Sequence, residues 1–274
     1  MIESLEAPPI SSPAPGDALR LDRIRIVLVA PSHPGNVGAT ARAMKVMGLS
    51  HLALVAPRYA DVLGQPDAIA FASGAVDILE HAAIHPTLAA ALADTSHAIA
   101  LSARDREYAP PATTLREDAG DAMRIVRSSD APVAFVFGSE RCGLSNDDVL
   151  RCQARCRVAT SDVYGSLNLA QAVQLTAYEC RQAALTIQPD ATAPAPVAAT
   201  HDEREALIDH LEQGLLAIGY LDPGAPKKLM PRLRRLFARA RLEHEEVQWL
   251  RGIAKAMLRP KPATAEAPAE APKR

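Results

Sequence analysis

Two rhythms of apolar residues divide this chain. The first is a set of short continuous runs. Residues 24–30 are apolar except for Arg25, which predicts a strand covered on both faces. The run ends in Pro31-Ser-His-Pro-Gly-Asn-Val-Gly38, and the spacing then predicts a helix over 39–47 and a strand over 52–55. The same order returns with a helix near 87–93, a strand at 98–101, a helix at 115–126 and a strand at 133–137. Strand, loop, helix and strand in that order are the βαβ unit of an α/β fold with a parallel sheet. After Phe137 the chain breaks at Gly138, and a short run at 157–160 leads into a second small-residue loop at 161–166. A helix follows with Leu169, Val173, Ala177, Cys180 and Ala184 on one buried face. Ligands of open α/β sheets lie where strands deliver such loops, so this pair of loops is the candidate site.

The second rhythm begins after an Ala/Pro/Thr-rich stretch at 189–200, which reads as a linker. Leu207, Leu211, Leu215 and Ile218 form one helical face that closes at Gly219. A second helix is expected to turn Leu229, Leu233, Leu236, Phe237 and Ala240 inward, and a third Val247, Leu250, Ala254 and Met257. The proline- and alanine-rich ends read as disordered tails. The expected division is a tail at 1–20, an α/β domain at 21–188, a linker at 189–200, a helical extension at 201–259 and a tail at 260–274.

Charge narrows the chemistry. Across 274 residues the net charge is −2, so nucleic-acid binding finds no support in the chain as a whole. It does find local support. Between residues 227 and 259 ten basic residues face three acidic ones, and Arg232, Arg235 and Arg239 share a helix face opposite Leu233, Phe237 and Ala240. Solvated faces mix both signs, whereas a one-sign arginine stripe matches phosphates. The four cysteines form no paired CxxC units, so no metal is expected. There is no long apolar window and no basic-then-apolar start, so a soluble cytoplasmic protein with no membrane partner is expected. The stretch Gly35-Asn36-Val37-Gly38 has two readings: a backbone cradle for a phosphate, or a tight turn in which Asn36 caps the helix. A Walker loop and a dinucleotide fingerprint are both absent, which leaves a nicotinamide dehydrogenase without support.

Taken together the loops resemble a known family. Asn36-x-Gly-x-x-x-Arg42, Phe137-Gly-x-Glu-x-x-Gly-Leu144 and Ser166-Leu-Asn-Leu-Ala170 look like the three motifs of the SPOUT class of RNA methyltransferases, in order. The resemblance covers about residues 22–185. Past the linker, His210-Leu-Glu-Gln213, Arg232-Leu-Arg-Arg-Leu-Phe-Ala-Arg-Ala-Arg241 and Leu250-Arg-Gly-Ile253 look like the helical extension of one bacterial subgroup. Its members are tRNA (cytidine/uridine) 2′-O-ribose methyltransferases acting at nucleotide 32 of the anticodon loop.

The resemblance implies an α/β domain whose parallel sheet ends in a C-terminal trefoil knot, followed by a small all-helical extension. It implies S-adenosylmethionine held by Leu101, Ser102, Ala103, Gly138, Val158, Gly165, Ser166, Leu167 and Asn168, with Leu101 standing where relatives often carry Thr. Arg42 would act as an electrostatic anchor, since a guanidinium is a poor general base. Asn36 would orient the loop, Ser166 would bond the ribose or Arg42, and Glu140 would tie its own loop together. Arg232, Arg235 and Arg239 would hold tRNA, and the chain would be a homodimer in which each site is completed by the neighbouring copy. Two other functions fit the same motifs: methylation of a ribosomal RNA ribose, and an RNA-binding protein without turnover.

Overall fold

The structure is a computed structural model that describes residues 19–104, 106–161, 163–186 and 197–258. The expected tails, apart from Leu19 and Arg20, and the first part of the expected linker lie outside these residues. Seven strands form one sheet in the order β3-β2-β1-β6-β4-β7-β5, and every pair in it is parallel. They are β1 (Ile24–Val29), β2 (His51–Val55), β3 (Ala83–His85), β4 (His97–Leu101), β5 (Ala112–Thr114), β6 (Val133–Phe137) and β7 (Ala154–Arg157). The central strands are sealed: Ile24, Ile26, Val27, Leu28 and every residue of β6 are buried. A parallel strand covered by helices on both faces has no solvent side to alternate towards, which is why these runs are continuously apolar.

The helices of the first unit are α1 (Pro34–Met47), α2 (Pro66–Ala72), α3 (Val76–Glu80), α4 (Leu88–Leu92), α5 (Leu115–Ser128), α6 (Asn146–Leu150) and α7 (Leu169–Thr186). α5 opens with a capping box in which Thr114 and Glu117 satisfy each other's backbone. The apolar stripe expected on α7 is buried at Leu169, Val173, Ala177, Cys180 and Ala184. It packs on α1 and α5, so its small residues serve contacts within the chain.

Several expectations are corrected. The first helix starts at Pro34, not residue 39, with proline in its first turn where a missing N–H costs nothing. Asn36 caps nothing: the N-cap is His33, with no side-chain bond. The strand expected at 157–160 is β7, ending at Arg157. β3, β5, α2, α3 and α6 have no counterpart in the sequence reading; none exceeds seven residues, too short for a period to show.

The second unit contains α8 (His201–Ala217), α9 (Leu229–Ala240) and α10 (His244–Leu258). Residues 197–200, expected in the linker, are structured. Ala198 bridges Glu243, Ala199 is fully buried, and Thr200 caps α8 in a box with Glu203. Ala199, Leu207, Leu211, Leu242, Val247 and Ala254 form a small separate core. Ile218, Leu236 and Ala240, expected inside, are exposed, and α9 contains no buried residue at all. Half-buried Phe237 packs against the small core, and ion pairs add to the hold: Arg234 to Glu205 from α8, and Arg241, just past its end, to Asp121 of α5 at 2.6 Å. Lys228, just before α9, meets Glu107 at 2.7 Å.

Candidate active site

The carboxyl ends of β1, β4, β6 and β7 deliver four loops to one side of the sheet. Gly138 follows β6 in a loop that folds back on itself through a bridge between Ser139 and Gly143. A Cβ on Gly138 would sit 2.0 Å from the Gly143 carbonyl carbon, so glycine is required there by the loop's own backbone. Gly143 holds a φ of +68°, the left-handed region that glycine enters without penalty. At Gly165 a Cβ would meet the Thr160 hydroxyl at 2.9 Å, so glycine lets the backbone there approach Thr160 closely.

The loops after β4, β6 and β7 enclose a cleft of about 440 Å³. Eight of the nine expected cofactor residues line it: Leu101, Ser102, Ala103, Gly138, Val158, Gly165, Ser166 and Leu167. The ninth, Asn168, does other work. Its Oδ1 accepts from the Ala170 N–H at 2.9 Å, and its Nδ2 donates to Asn36 Oδ1 at 3.0 Å. The asparagine therefore caps the start of α7 and ties it to α1. A larger hollow of about 580 Å³ lies among Arg25, His51, His81 and Asp94, away from these loops and from the motif residues.

Glu140 departs from the expectation. Instead of bracing its own loop, it spans to the first motif. Its Oε2 accepts from the Ser32 N–H at 2.9 Å and the Ser32 hydroxyl at 2.8 Å. Its Oε1 accepts from Asn36 Nδ2 at 2.9 Å and the His33 N–H at 3.3 Å. Burial disfavours its charge, yet the donors from Asn36, its own backbone and Ser32 outweigh burial and hold the carboxyl below its ordinary range. Asn36 is thus fixed on both ends of its amide, by Glu140 and by Asn168, and all three motifs meet in one chain of hydrogen bonds. Ser32, which no pattern singled out, is part of it.

Arg42 lies six residues beyond Asn36 on α1, about 9 Å further along the helix axis. It is exposed, does not line the cleft, and makes no hydrogen bond or ion pair with another described residue. Ser166 lines the cleft and is exposed, with no bond to Arg42. Within the chain the two are not brought together. Arg232, Arg235 and Arg239 are all exposed on α9. The Arg232 guanidinium lies 5.8 Å from the ring centre of Tyr108, in the loop that leaves the cleft after β4. Cys142 is exposed while Cys152, Cys156 and Cys180 are buried, their thiols pushed up by burial.

The chain matches the SpoU rRNA Methylase family over residues 23–178 and the C-terminal domain of the tRNA methyltransferase TrmJ over residues 202–267. It is 46% identical over 242 residues to the tRNA (cytidine/uridine-2′-O-)-methyltransferase TrmJ of Klebsiella pneumoniae, covering 85% of this chain and 95% of that one. The tRNA (cytidine/uridine/adenosine-2′-O-)-methyltransferase TrmJ of Pseudomonas aeruginosa is 44% identical, with 85% and 93% covered. Among solved structures, TrmJ from Z. mobilis superposes with a TM-score of 0.72 at 36% identity, covering 85% of this chain and 98% of that one. A probable methyltransferase from Bordetella pertussis gives 0.57 at 48% identity, covering 60% and 98%. A SpoU-type sheet with three motif loops on one edge, carrying a TrmJ-type helical extension, belongs to the SpoU methylase family in its TrmJ branch.

Proposed function

We propose that this protein is an S-adenosylmethionine-dependent methyltransferase acting on the ribose 2′-hydroxyl of cytidine or uridine at position 32 of the tRNA anticodon loop, as a homodimer in the cytoplasm. The observation that carries this reading is the cleft that gathers eight expected cofactor residues beside the hydrogen-bonded Asn36–Glu140–Asn168 chain. Leu101, Val158 and Leu167 offer apolar walls to a nucleoside, and the loops around Gly138 and Gly165 present backbone to it. The volume is in the range of a pocket for a ligand of that size. S-adenosylmethionine, when bound, supplies an electrophilic methyl group on a sulfonium. Leu101 lines the cleft, and on this reading it meets the cofactor through its backbone, where a side-chain hydroxyl is dispensable. We assign the knot that the family implies to the stretch 161–182, threaded through an earlier loop.

The protein's own work is alignment, which in a displacement of this kind supplies much of the acceleration. Glu140 and Asn168 hold Asn36, and through it the first loop, against the cleft. Arg42 anchors a phosphate and favours the alkoxide that develops as the 2′-hydroxyl loses its proton. Because Arg42 lies outside its own subunit's cleft, the reading assigns it to the cleft of a second copy. The helical extension, with Arg232, Arg235 and Arg239, holds the tRNA body. The TrmJ-type extension favours tRNA over ribosomal RNA, which the motifs alone leave open.

The test is methylation of a tRNA transcript by the purified protein, with the site found by mass spectrometry. A 2′-O-methyl group at nucleotide 32 is expected, and its absence from transcripts treated with Arg42→Ala protein. Methylation at another nucleotide, or none by the unaltered protein, refutes the assignment.

A further inference from the structure

Three arginines stand at the mouth of the cleft on separate segments: Arg104 just after β4, Arg141 in the loop after β6, and Arg157 at the end of β7. All three are exposed, and none makes a side-chain hydrogen bond or ion pair with another described residue. Elsewhere the surface arginines are often paired, Arg20 with Asp130, Arg116 with Glu179 and Arg241 with Asp121. A fourth arginine in the lining, Arg106, is already committed. It donates to the Leu144 carbonyl at 2.5 Å and to Asn146 Oδ1 at 3.1 Å. Burial, then the charges of Arg104 and Arg155, push it down. The one acid among the described lining residues, Glu140, is turned towards Ser32 and Asn36.

This ring has the wrong sign for the cofactor. S-adenosylmethionine carries a sulfonium and an ammonium against one carboxylate, a net cation, and like charges gathered around it weaken its binding. The ring has the right sign and shape for phosphate, to which the guanidinium fork is matched. A wide depression of about 340 Å³ shares Arg104, Arg106 and Leu144 with the cleft and continues to Ser145 and Asn146, so the basic surface runs outward from the site.

We propose that Arg104, Arg141 and Arg157 grip the RNA phosphates that flank the target ribose, and that these phosphates offset the charge the cofactor meets, so RNA and cofactor bind cooperatively. The inference rests on the methyltransferase reading of the cleft. It adds a second RNA contact, at the site itself, to the one on α9.

Full-length protein carrying R104Q, R141Q and R157Q together is compared with the unaltered protein and with the corresponding triple lysine variant. The probes are a tRNA transcript and S-adenosylmethionine, followed by calorimetry and filter binding over a range of salt. In the unaltered protein, bound tRNA tightens cofactor binding several-fold at low salt. In the glutamine variant that gain disappears, and the slope of log tRNA affinity against log salt flattens by about 2 to 3 units. The lysine variant, which keeps the charge, recovers most of the slope. A glutamine variant with the original slope and the original coupling overturns the proposal. Should circular dichroism show that the triple variant does not fold, single substitutions apply the same criterion, each flattening the slope by about 0.7 to 0.9 unit. A protein whose tRNA binding depends on the ring but which leaves the RNA unmethylated supports the ring and refutes the methyl-transfer reading, so the two failures are distinguishable.

Discussion

Glu140 shows how much one side chain can organise. Its two oxygens collect four donors from the first loop, and three of them belong to Ser32 and His33, which no motif contains. A charge-assisted bond of this kind is worth about 1.5–3 kcal/mol before exposure reduces it. Glu140→Gln keeps the shape but loses the charge and presents an amide to donors that expect an acceptor. The expected result is a stability loss of about 1–2 kcal/mol in denaturant titration, with methyl transfer reduced at least about tenfold as Asn36 loses its fixed position. Normal single-turnover rates in that variant would mean that the first loop is held by other contacts. The sign of the pH effect follows from the lowered carboxyl value. Glu140 contributes fully above the ordinary glutamate value of 4.5 and loses that contribution as pH falls through its lowered one.

At the scale of elements, α1 and α9 are held by opposite means. α1 seats directly on α2: a Cβ on Gly38 would stand 2.0 Å from the Ala68 carbonyl oxygen and 2.9 Å from the Ala72 nitrogen. Both contacts are with backbone, which cannot rotate away. Gly38→Ala should therefore cost about 2–4 kcal/mol, despite alanine's better helix propensity. An unchanged denaturation midpoint would show that α2 shifts freely. α9 has no buried residue; beside the half-buried Phe237 it is held through Glu205, which accepts from both Arg151 and Arg234. Glu205→Ala should raise hydrogen exchange across α9 while leaving α10 protected, because α10 is anchored by Val247 and Ala254 in the small core. Equal exchange in the two helices would contradict an electrostatic attachment of α9.

The whole molecule depends on the seam between its two cores. The start of α8 binds the backbone ahead of β4: the His201 N–H donates to the Thr95 carbonyl at 2.8 Å, and Arg204 donates to the Ser96 carbonyl at 2.9 Å. His97 and His201 are buried beside this seam. Burial, then Arg204, pushes His97 down to about 3, and burial pushes His201 to about 4. In the unfolded chain a histidine takes up its proton near 6.5. Between these values the unfolded state binds more protons, so stability rises with pH and declines as pH falls below about 6.5. The loss is about 1.4 kcal/mol per pH unit for each histidine. Thermal unfolding should therefore move to lower temperature between pH 6.5 and pH 5. His201→Phe should reduce that sensitivity at little cost, because neither ring nitrogen of His201 has a partner to lose. A variant with the same pH dependence as the unaltered protein would show that His201 titrates freely.

The strands of the central sheet, the long helices and the loops that line the cleft were legible in the sequence, because each is announced by residues adjacent along the chain. A strand covered on both faces must be continuously apolar, as residues 133–137 are, and one buried helix face must recur every three or four residues, as Leu169, Val173 and Ala177 do. Only the tertiary structure decided what those local signals are for. Asn36 reads as a helix cap, yet its amide is shared between Glu140 and Asn168, partners 104 and 132 residues away. Gly38 reads as part of a phosphate loop, yet it is the point at which α2 touches α1. The face of α9 that the pattern turned inward lies open at Leu236 and Ala240, while Glu205 holds the helix at Arg234 and Asp121 holds Arg241 just past its end. Periodicity reports how a segment divides between core and solvent. A hydrogen bond, a close backbone approach or an ion pair across a hundred residues leaves no period, and it exists only once folding has brought its two ends together.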